Sequence, residues 1–295
     1  MPSIVSTILR GQIRLLGPFI AGASLEQARR GQDALGRLGT RAMEGSVHFH
    51  ELRFSDFDAA WAIPLKGRVR RAILYLHGGA YTAGGLPYAK VFGGHLAEVT
   101  GRAVLCVGYR LAPEHPFPAA LDDALEAYKE MLTRYAPSEI AFVGESAGGG
   151  LCYALCLYLK QLRLPLPGQI IAISPWTDLL MERDVSAQAE LDPLLDHTNL
   201  LSNAVYYSGG EARDNPLISP LFGDLHGLPP SLIIVGGHEM LLDDSRLMQE
   251  ALERAGCACQ LHVEEGLWHV YVLYGVPEAK EAVRMIAQRL EEEGP

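Results

Sequence analysis

From residue 70 onward, apolar segments of strand length alternate with segments of helical periodicity. The strand-like segments are RRAILYLH at 70–77, RAVLCVGY at 102–109, EIAFVG at 139–144, GQIIAISP at 168–175, SLIIVGG at 231–237 and ACQLHVEE at 258–265. Apolar strands separated by helices are typical of a parallel sheet with both faces covered. The alternation therefore predicts a doubly wound α/β fold.

Two further strand-like segments precede this region. SVHFHELRF starts at residue 46 and DAAWAIP at residue 58, and both read as alternating strands. Alternation of this kind is typical of antiparallel pairing with one face solvated. The whole pattern predicts a mixed, mostly parallel sheet of eight strands that begins with antiparallel strands.

The N-terminal segment has helical periodicity. Apolar residues separated by four, four, three and four positions form an amphipathic stripe, and they are Val5, Leu9, Ile13, Leu16 and Ile20. Ser24 and Gln27 have the spacing of a capping box, which predicts a second helix that ends near Gly39. We expect these two helices to form a cap ahead of the first strand.

The composition excludes several classes of protein. The chain has 295 residues and a net charge of −10, and it contains no long basic run of the kind that binds nucleic acid. No segment is long and apolar enough to span a membrane. Five cysteines are present without a C-x-x-C pair, so we expect neither a metal site nor a disulfide framework, and we expect a reducing, cytoplasmic location.

A serine lies at the corner between a predicted strand and a predicted helix. In FVGESAGGGL, Gly144, Ser146 and Gly148 match the G-x-S-x-G pattern, in which a sharp turn presents the serine hydroxyl outward. Glycine-rich corners between strand and helix also bind phosphates, so the pentapeptide alone leaves both interpretations open.

A nucleophilic serine needs a base, and the base needs an acid that orients it. We predict His269 as the base and Glu239 as the acid, since both follow later strands in the order serine, acid, histidine. Asp243 and Asp178 are competing candidates for the acid. Glu239 is favoured because it comes directly after a strand.

The attacked carbonyl develops negative charge and needs fixed donors. The backbone amide of Ala147, after the serine, is one candidate donor. Gly78 and Gly79, in the loop after the third strand, are two more, because glycine lets the backbone approach a substrate. We expect His77 to brace this loop by hydrogen bonds.

Several segments resemble the hormone-sensitive lipase family of serine esterases, the bacterial family IV carboxylesterases. They are HGGAY at 77–81, GYRLAPEHPFPAALDDA at 108–124, GESAGG at 144–149, SPWTDL at 174–179, SPLFGDLHGLPP at 219–230, VGGHEMLLDDS at 235–245 and GLWHVY at 266–271. They follow the order of the family from the third strand to the final helix.

The resemblance implies an α/β-hydrolase fold with an N-terminal helical cap and no cofactor. It places residues of this sequence in a triad of Ser146, Glu239 and His269 and in an oxyanion hole of Gly78, Gly79 and Ala147. Three positions depart from the family's pattern. Ala80 replaces a third glycine, Gly108 replaces an aspartate, and Glu239 stands where aspartate is more common.

The same reasoning divides the chain into parts. We expect a helical cap at 1–45 and an α/β-hydrolase catalytic domain at 46–295. Residues 176–230 are rich in Pro, Gly, Asp and Asn and contain one helical run, TNLLSNAVYY. A long excursion between two strands is usually functional, so we expect 180–210 to contribute to a lid.

The predicted function is that of a serine carboxylesterase. The resemblance implies short to medium acyl esters as small-molecule substrates and a homodimer, formed through the last strand at the sheet edge. A lactone or terpenoid ester hydrolase would use the same machinery. A non-catalytic ligand-binding relative is the rival from another class, although such relatives typically lose a member of the triad and all three positions are filled here.

Overall fold

A computed structural model describes residues 2–21, 24–66 and 69–292, with side chains from 24 onward and at 2–15. Its helices are α1 (Ile4–Ala21), α2 (Leu25–Ala42), α3 (Leu86–Thr100), α4 (Ala119–Leu132), α5 (Ala147–Gln161), α6 (Ser186–Leu191), α7 (His197–Ser208), α8 (Leu242–Arg254) and α9 (Pro277–Glu291). Its strands are β1 (Val47–Arg53), β2 (Asp58–Pro64), β3 (Ala72–Leu76), β4 (Ala103–Gly108), β5 (Ile140–Glu145), β6 (Gln169–Ile173), β7 (Ser231–Gly236) and β8 (Cys259–Glu264).

The eight strands form one sheet in the order β1-β2-β4-β3-β5-β6-β7-β8. β1 pairs with β2, and β2 with β4, in antiparallel fashion, and all other pairs are parallel. The predicted mixed sheet with an antiparallel start is therefore confirmed. In the register, Leu76 lies opposite Gly144 and Glu145 opposite Ile173, so the carboxyl ends of β3, β5 and β6 meet at one edge.

Alternate residues of the strands bury the two faces of the sheet. Leu74 and Leu76 of β3 pack into a core with α4, α5 and α8. Ile73 and Tyr75 of the same strand pack on the opposite face, against α3 and α9. The strands are apolar along their whole length because both faces are covered by helices.

The two N-terminal helices pack on the α3 and α9 side of the sheet. The capping box of Ser24 and Gln27 is confirmed, and α2 continues beyond the expected end to Ala42. The predicted stripe of α1 is only partly buried: Ile13 is in the core but Val5 is 55% exposed. The side chains of Leu16 and Ile20 lie outside the described residues.

The excursion between β6 and β7 carries α6, which the sequence pattern did not indicate, and α7, which matches the predicted helical run. α7 lies against the loop after β3. The rings of Tyr207 and Tyr81 stack with centroids 3.6 Å apart, and the Thr82 hydroxyl donates to Asn203 Oδ1 over 3.1 Å. None of the helices in the described ranges is long and apolar enough to cross a membrane.

Candidate active site

Ser146 occupies a sharp corner between β5 and α5. Its backbone has φ 53° and ψ −121°, a strained conformation of the kind that costs about 1–3 kcal/mol. The corner requires glycine on both sides. A Cβ on Gly144 would lie 2.3 Å from the Gly148 carbonyl oxygen, and a Cβ on Gly148 would lie 2.0 Å from the Leu76 carbonyl oxygen. The local sequence therefore places the serine at the tip of the corner, at the carboxyl edge of the sheet.

The structure brings Ser146, His269 and Glu239 into one chain of hydrogen bonds. Ser146 Oγ lies 2.9 Å from His269 Nε2, and His269 Nδ1 lies 3.2 Å from Glu239 Oε1. With the proton on Nδ1, the histidine donates to the carboxylate and leaves Nε2 to accept the serine proton. All three side chains are buried, and Ser146 is 6% exposed.

The carboxylate of Glu239 is held by partners on its second oxygen. Glu239 Oε2 accepts from Ser174 Oγ over 2.8 Å and from the Gly236 amide over 2.9 Å. Ser174 Oγ in turn accepts from the Val270 amide over 3.1 Å. Ser174 was not identified from the sequence, although it begins the SPWTDL segment, and it ties the acid to the loop that carries the histidine.

The surroundings of His269 favour its protonated form. Burial lowers the pKa of His269, but the hydrogen bond and charge of Glu239, together with the charges of Asp192 and Glu145, outweigh burial. The net result is a raised pKa for His269. Nearby carboxylates therefore make this imidazole a stronger base than a free histidine.

The competing acids are engaged elsewhere. Asp178 lies 3.4 Å from Arg183 and Asp243 lies 3.5 Å from Arg246. In the described part of the chain, neither aspartate bonds to His269, whereas Glu239 does.

The loop after β3 is strained over three consecutive residues. Gly79, Ala80 and Tyr81 have φ values of 112°, 52° and 61°. Ala80, which replaces the family's third glycine, thus sits in the left-handed region at a cost of about 1–2 kcal/mol. The amides of Gly79 and Ala147 have no acceptor among the described residues, so both are available to a bound group.

The Gly78 amide, an expected oxyanion donor, is engaged in another hydrogen bond. It donates to Glu145 Oε1 over 2.6 Å, so it is already occupied by a carboxyl group. Glu145 Oε2 accepts from the Tyr75 hydroxyl over 2.6 Å. Burial raises the pKa of Glu145 to about 7, although these hydrogen bonds oppose the rise. The sequence signal for this contact is Glu145 itself, an acidic residue at the end of an otherwise apolar strand. The sequence analysis did not identify it.

His77 braces the same loop, as predicted. His77 Nδ1 lies 2.7 Å from the Gly78 carbonyl oxygen, and the ring stacks on Tyr109 with centroids 4.1 Å apart. Burial lowers the pKa of His77 to about 4, so it is neutral near pH 7 and its Nδ1 donates. His77 is therefore a support for the loop backbone.

Gly108 has no room for the aspartate that its position usually carries in the family. A Cβ there would lie 2.8 Å from the Leu86 Cβ and 3.0 Å from the Asp58 carbonyl oxygen. The neighbouring Arg110 is held instead by Asp123, with its terminal nitrogen 2.6 Å from Oδ1. Within residues 2–21, 24–66 and 69–292, no group of three or more His, Cys, Asp or Glu side chains is placed to hold a metal ion.

Comparisons with known proteins agree with this fold. A family model described as an alpha/beta hydrolase fold matches residues 73–273. An acetyl-hydrolase of Streptomyces hygroscopicus is 36% identical over 260 residues, which cover 87% of this chain and 85% of that protein. The chain belongs to the alpha/beta hydrolase fold family.

Comparison with solved structures identifies a narrower group of similar proteins. An esterase from the bacterial hormone-sensitive lipase family superposes with a TM-score of 0.91 at 34% identity, covering all of both chains. The esterase EstE5, in a crystal soaked with p-nitrophenyl butyrate, superposes with a TM-score of 0.92 at 31% identity over 99% of each chain. The resemblance to this family and the prediction of a carboxylic ester hydrolase are confirmed.

Proposed function

We propose that this hydrolase cleaves short to medium acyl esters through Ser146, His269 and Glu239. The observation that carries the proposal is the unbroken hydrogen-bonded chain from the Ser146 hydroxyl to the Glu239 carboxylate. A strained corner presents the hydroxyl, and a buried acid orients the base. These are the parts that acyl transfer by a serine nucleophile requires.

In the first step, Ser146 Oγ attacks the ester carbonyl as His269 Nε2 takes its proton. The carbonyl oxygen becomes an oxyanion between the free amides of Gly79 and Ala147. Collapse of this intermediate breaks the bond to the alcohol, and His269 returns the proton to the leaving oxygen. An acyl-enzyme on Ser146 remains.

In the second step, His269 removes a proton from water, which attacks the acyl carbon on Ser146. The same two amides stabilise the second oxyanion. Collapse of the second intermediate breaks the bond between Ser146 Oγ and the acyl carbon, His269 returns its proton to Ser146 Oγ, and the acid leaves. Gly78 contributes indirectly, since the contact of its amide with Glu145 fixes the loop on which Gly79 lies.

The preference for short acyl groups is supported by the names of relatives. One is an acetyl-hydrolase, and the crystal of another was soaked with a butyrate ester. The cap, the lid at 180–210, the homodimer and the cytoplasmic location stay predictions. The position of β8 at an edge of the sheet supports the homodimer. The packing of α7 on the loop that carries Gly79 supports the lid.

The test is hydrolysis of p-nitrophenyl acetate, butyrate, octanoate and palmitate by the wild type and Ser146→Ala. We expect turnover of the short esters to fall on the order of 10⁴-fold or more in the variant. Thermal unfolding should remain cooperative, because the substitution removes one oxygen. Short-ester turnover that survives in a folded Ser146→Ala protein would refute the proposal.

A further inference from the structure

A cavity of about 480 Å³ lies beneath the N-terminal cap, between α2, α3, the turn at Tyr271–Tyr274 and α9. It is within the size range of small-molecule sites, about 300–1,000 Å³. Most of its wall is aliphatic or aromatic, with side chains such as Leu35, Val91, Phe92, Leu273 and Val283. Its apolar wall and its opening to solvent suit the uptake of an apolar ligand.

Among the described residues that line the cavity, one is a permanent cation and none is a carboxylate. Lys280 is exposed at its rim, and in the described part of the chain its ammonium group has no acidic partner. The acids nearest in sequence are engaged elsewhere. Glu278 accepts from the Ser6 hydroxyl over 2.6 Å, and Glu281 pairs with Arg284 over 2.8 Å.

The mouth of the cavity faces solvent. Leu35, which lines the cavity, is 70% exposed, and Tyr274 is also partly exposed. An apolar interior with an unpaired ammonium group at its rim matches an aliphatic chain that ends in an anionic head. We propose that this cavity binds a fatty acid, with the chain against α3 and α9 and the carboxylate at Lys280.

The proposed site is separate from the catalytic serine. Ser146, His269 and Glu239 do not line the cavity. Two of its wall residues nevertheless adjoin the active site: Val270 follows His269, and the Tyr88 hydroxyl interacts with the Glu145 carboxyl. Fatty acids are the acid product class of the proposed reaction. The binding itself does not depend on that function.

Isothermal titration calorimetry with dodecanoate, below its micelle concentration, tests the site. We expect saturable 1:1 binding to the wild type and much weaker binding of dodecyltrimethylammonium, which has the same chain and the opposite charge. Lys280→Glu should weaken dodecanoate binding by about fivefold or more, since it reverses the charge at the head. Lys129→Glu, a matched change of an exposed lysine on α4, should leave the affinity unchanged.

Two further measurements complete the test. Ala279→Phe places a ring in the cavity and should abolish binding, with folding checked by circular dichroism. Wild-type protein sulfonylated on Ser146 by phenylmethanesulfonyl fluoride should still bind dodecanoate. Loss of binding on labelling would assign the ligand to the catalytic groove and overturn the proposal. Equal binding of the anion and the cation, or full affinity in Lys280→Glu, would also overturn it. Failure of the label to attach would count against the proposed function alone.

Discussion

The serine corner and the N-terminal helices differ in how far their side chains are buried. In the corner, Ser146, His269 and Glu239 are buried and joined by directional hydrogen bonds. In α1, large apolar side chains face solvent, and Ile4 and Leu15 are 81% and 77% exposed. The difference is consistent with two proposed tasks: the strand ends would fix the reacting atoms, and the N-terminal helices would act as the predicted cap.

The largest effect in this comparison is expected from Glu239→Gln. The amide keeps the size of the side chain but loses the charge that stabilises protonated His269, so kcat should fall on the order of 10²-fold or more. Steady-state kinetics with p-nitrophenyl butyrate measures the loss. Asp178→Asn and Asp243→Asn serve as controls and should stay within about tenfold of the wild type. The assignment fails if Glu239→Gln is nearly normal while one of these controls is inactive.

A smaller effect is expected from Glu145→Gln. Glutamine keeps one acceptor oxygen but loses the charge and turns an acceptor into an NH2 donor, so it weakens the contacts with the Gly78 amide and the Tyr75 hydroxyl and loosens the loop that carries Gly79. Removing one oxyanion donor outright costs about 10²–10³ in kcat, so a displaced donor should cost on the order of tenfold, with little change in KM. Tyr75→Phe, which keeps the Gly78 contact, should be milder. An unchanged kcat in Glu145→Gln would mean that the loop holds its shape without this carboxyl.

The pH dependence should follow His269. The base acts only when neutral, and its pKa is raised because the carboxylates around it outweigh burial. Activity should therefore decline as the pH falls through a value above the ordinary histidine pKa of about 6.5. A profile of kcat/KM from pH 4 to 9 measures the midpoint. A midpoint below the ordinary value would show that burial dominates instead.

The smallest effect is expected from detaching the cap. Arg29 on α2 donates to the Thr82 and Ala112 carbonyl oxygens, each over 2.7 Å, and pairs with Glu114. Arg29→Ala should raise KM for the octanoate ester severalfold while kcat for acetate stays within about twofold. Arg30→Ala is the matched control, because Arg30 is exposed and pairs with Glu26 of the same helix. If both variants behave alike, the cap does not govern access.

The strands and the serine corner could be predicted because their signals are local. A strand buried on both faces must be apolar throughout, and a sharp corner must have glycine at Gly144 and Gly148 to avoid backbone clashes. That Ser146, His269 and Glu239 would meet could be predicted from position, since residues after parallel strands lie at one edge of the sheet. The distances between them come from the structure.

Other features depend on contacts between distant segments and could not be predicted. The occupation of the Gly78 amide requires Glu145, which lies 67 residues away in the chain. The exposure of Val5 depends on how α1 packs. An apolar stripe on a helix does not specify how much of its length the neighbouring elements cover. α6 is short and has no apolar periodicity strong enough to mark it.

The anchoring of the Glu239 carboxylate has a consequence for how far the acid can vary. One oxygen is directed at His269 while the other is fixed by Ser174 and Gly236, which belong to two neighbouring strand ends. An aspartate from the same Cα would fall short by roughly one carbon–carbon bond, about 1.5 Å, and could not meet both sides. The chain length of the acid and the path of the backbone beneath it are thus coupled, so exchange of glutamate for aspartate would require a compensating shift of the loop.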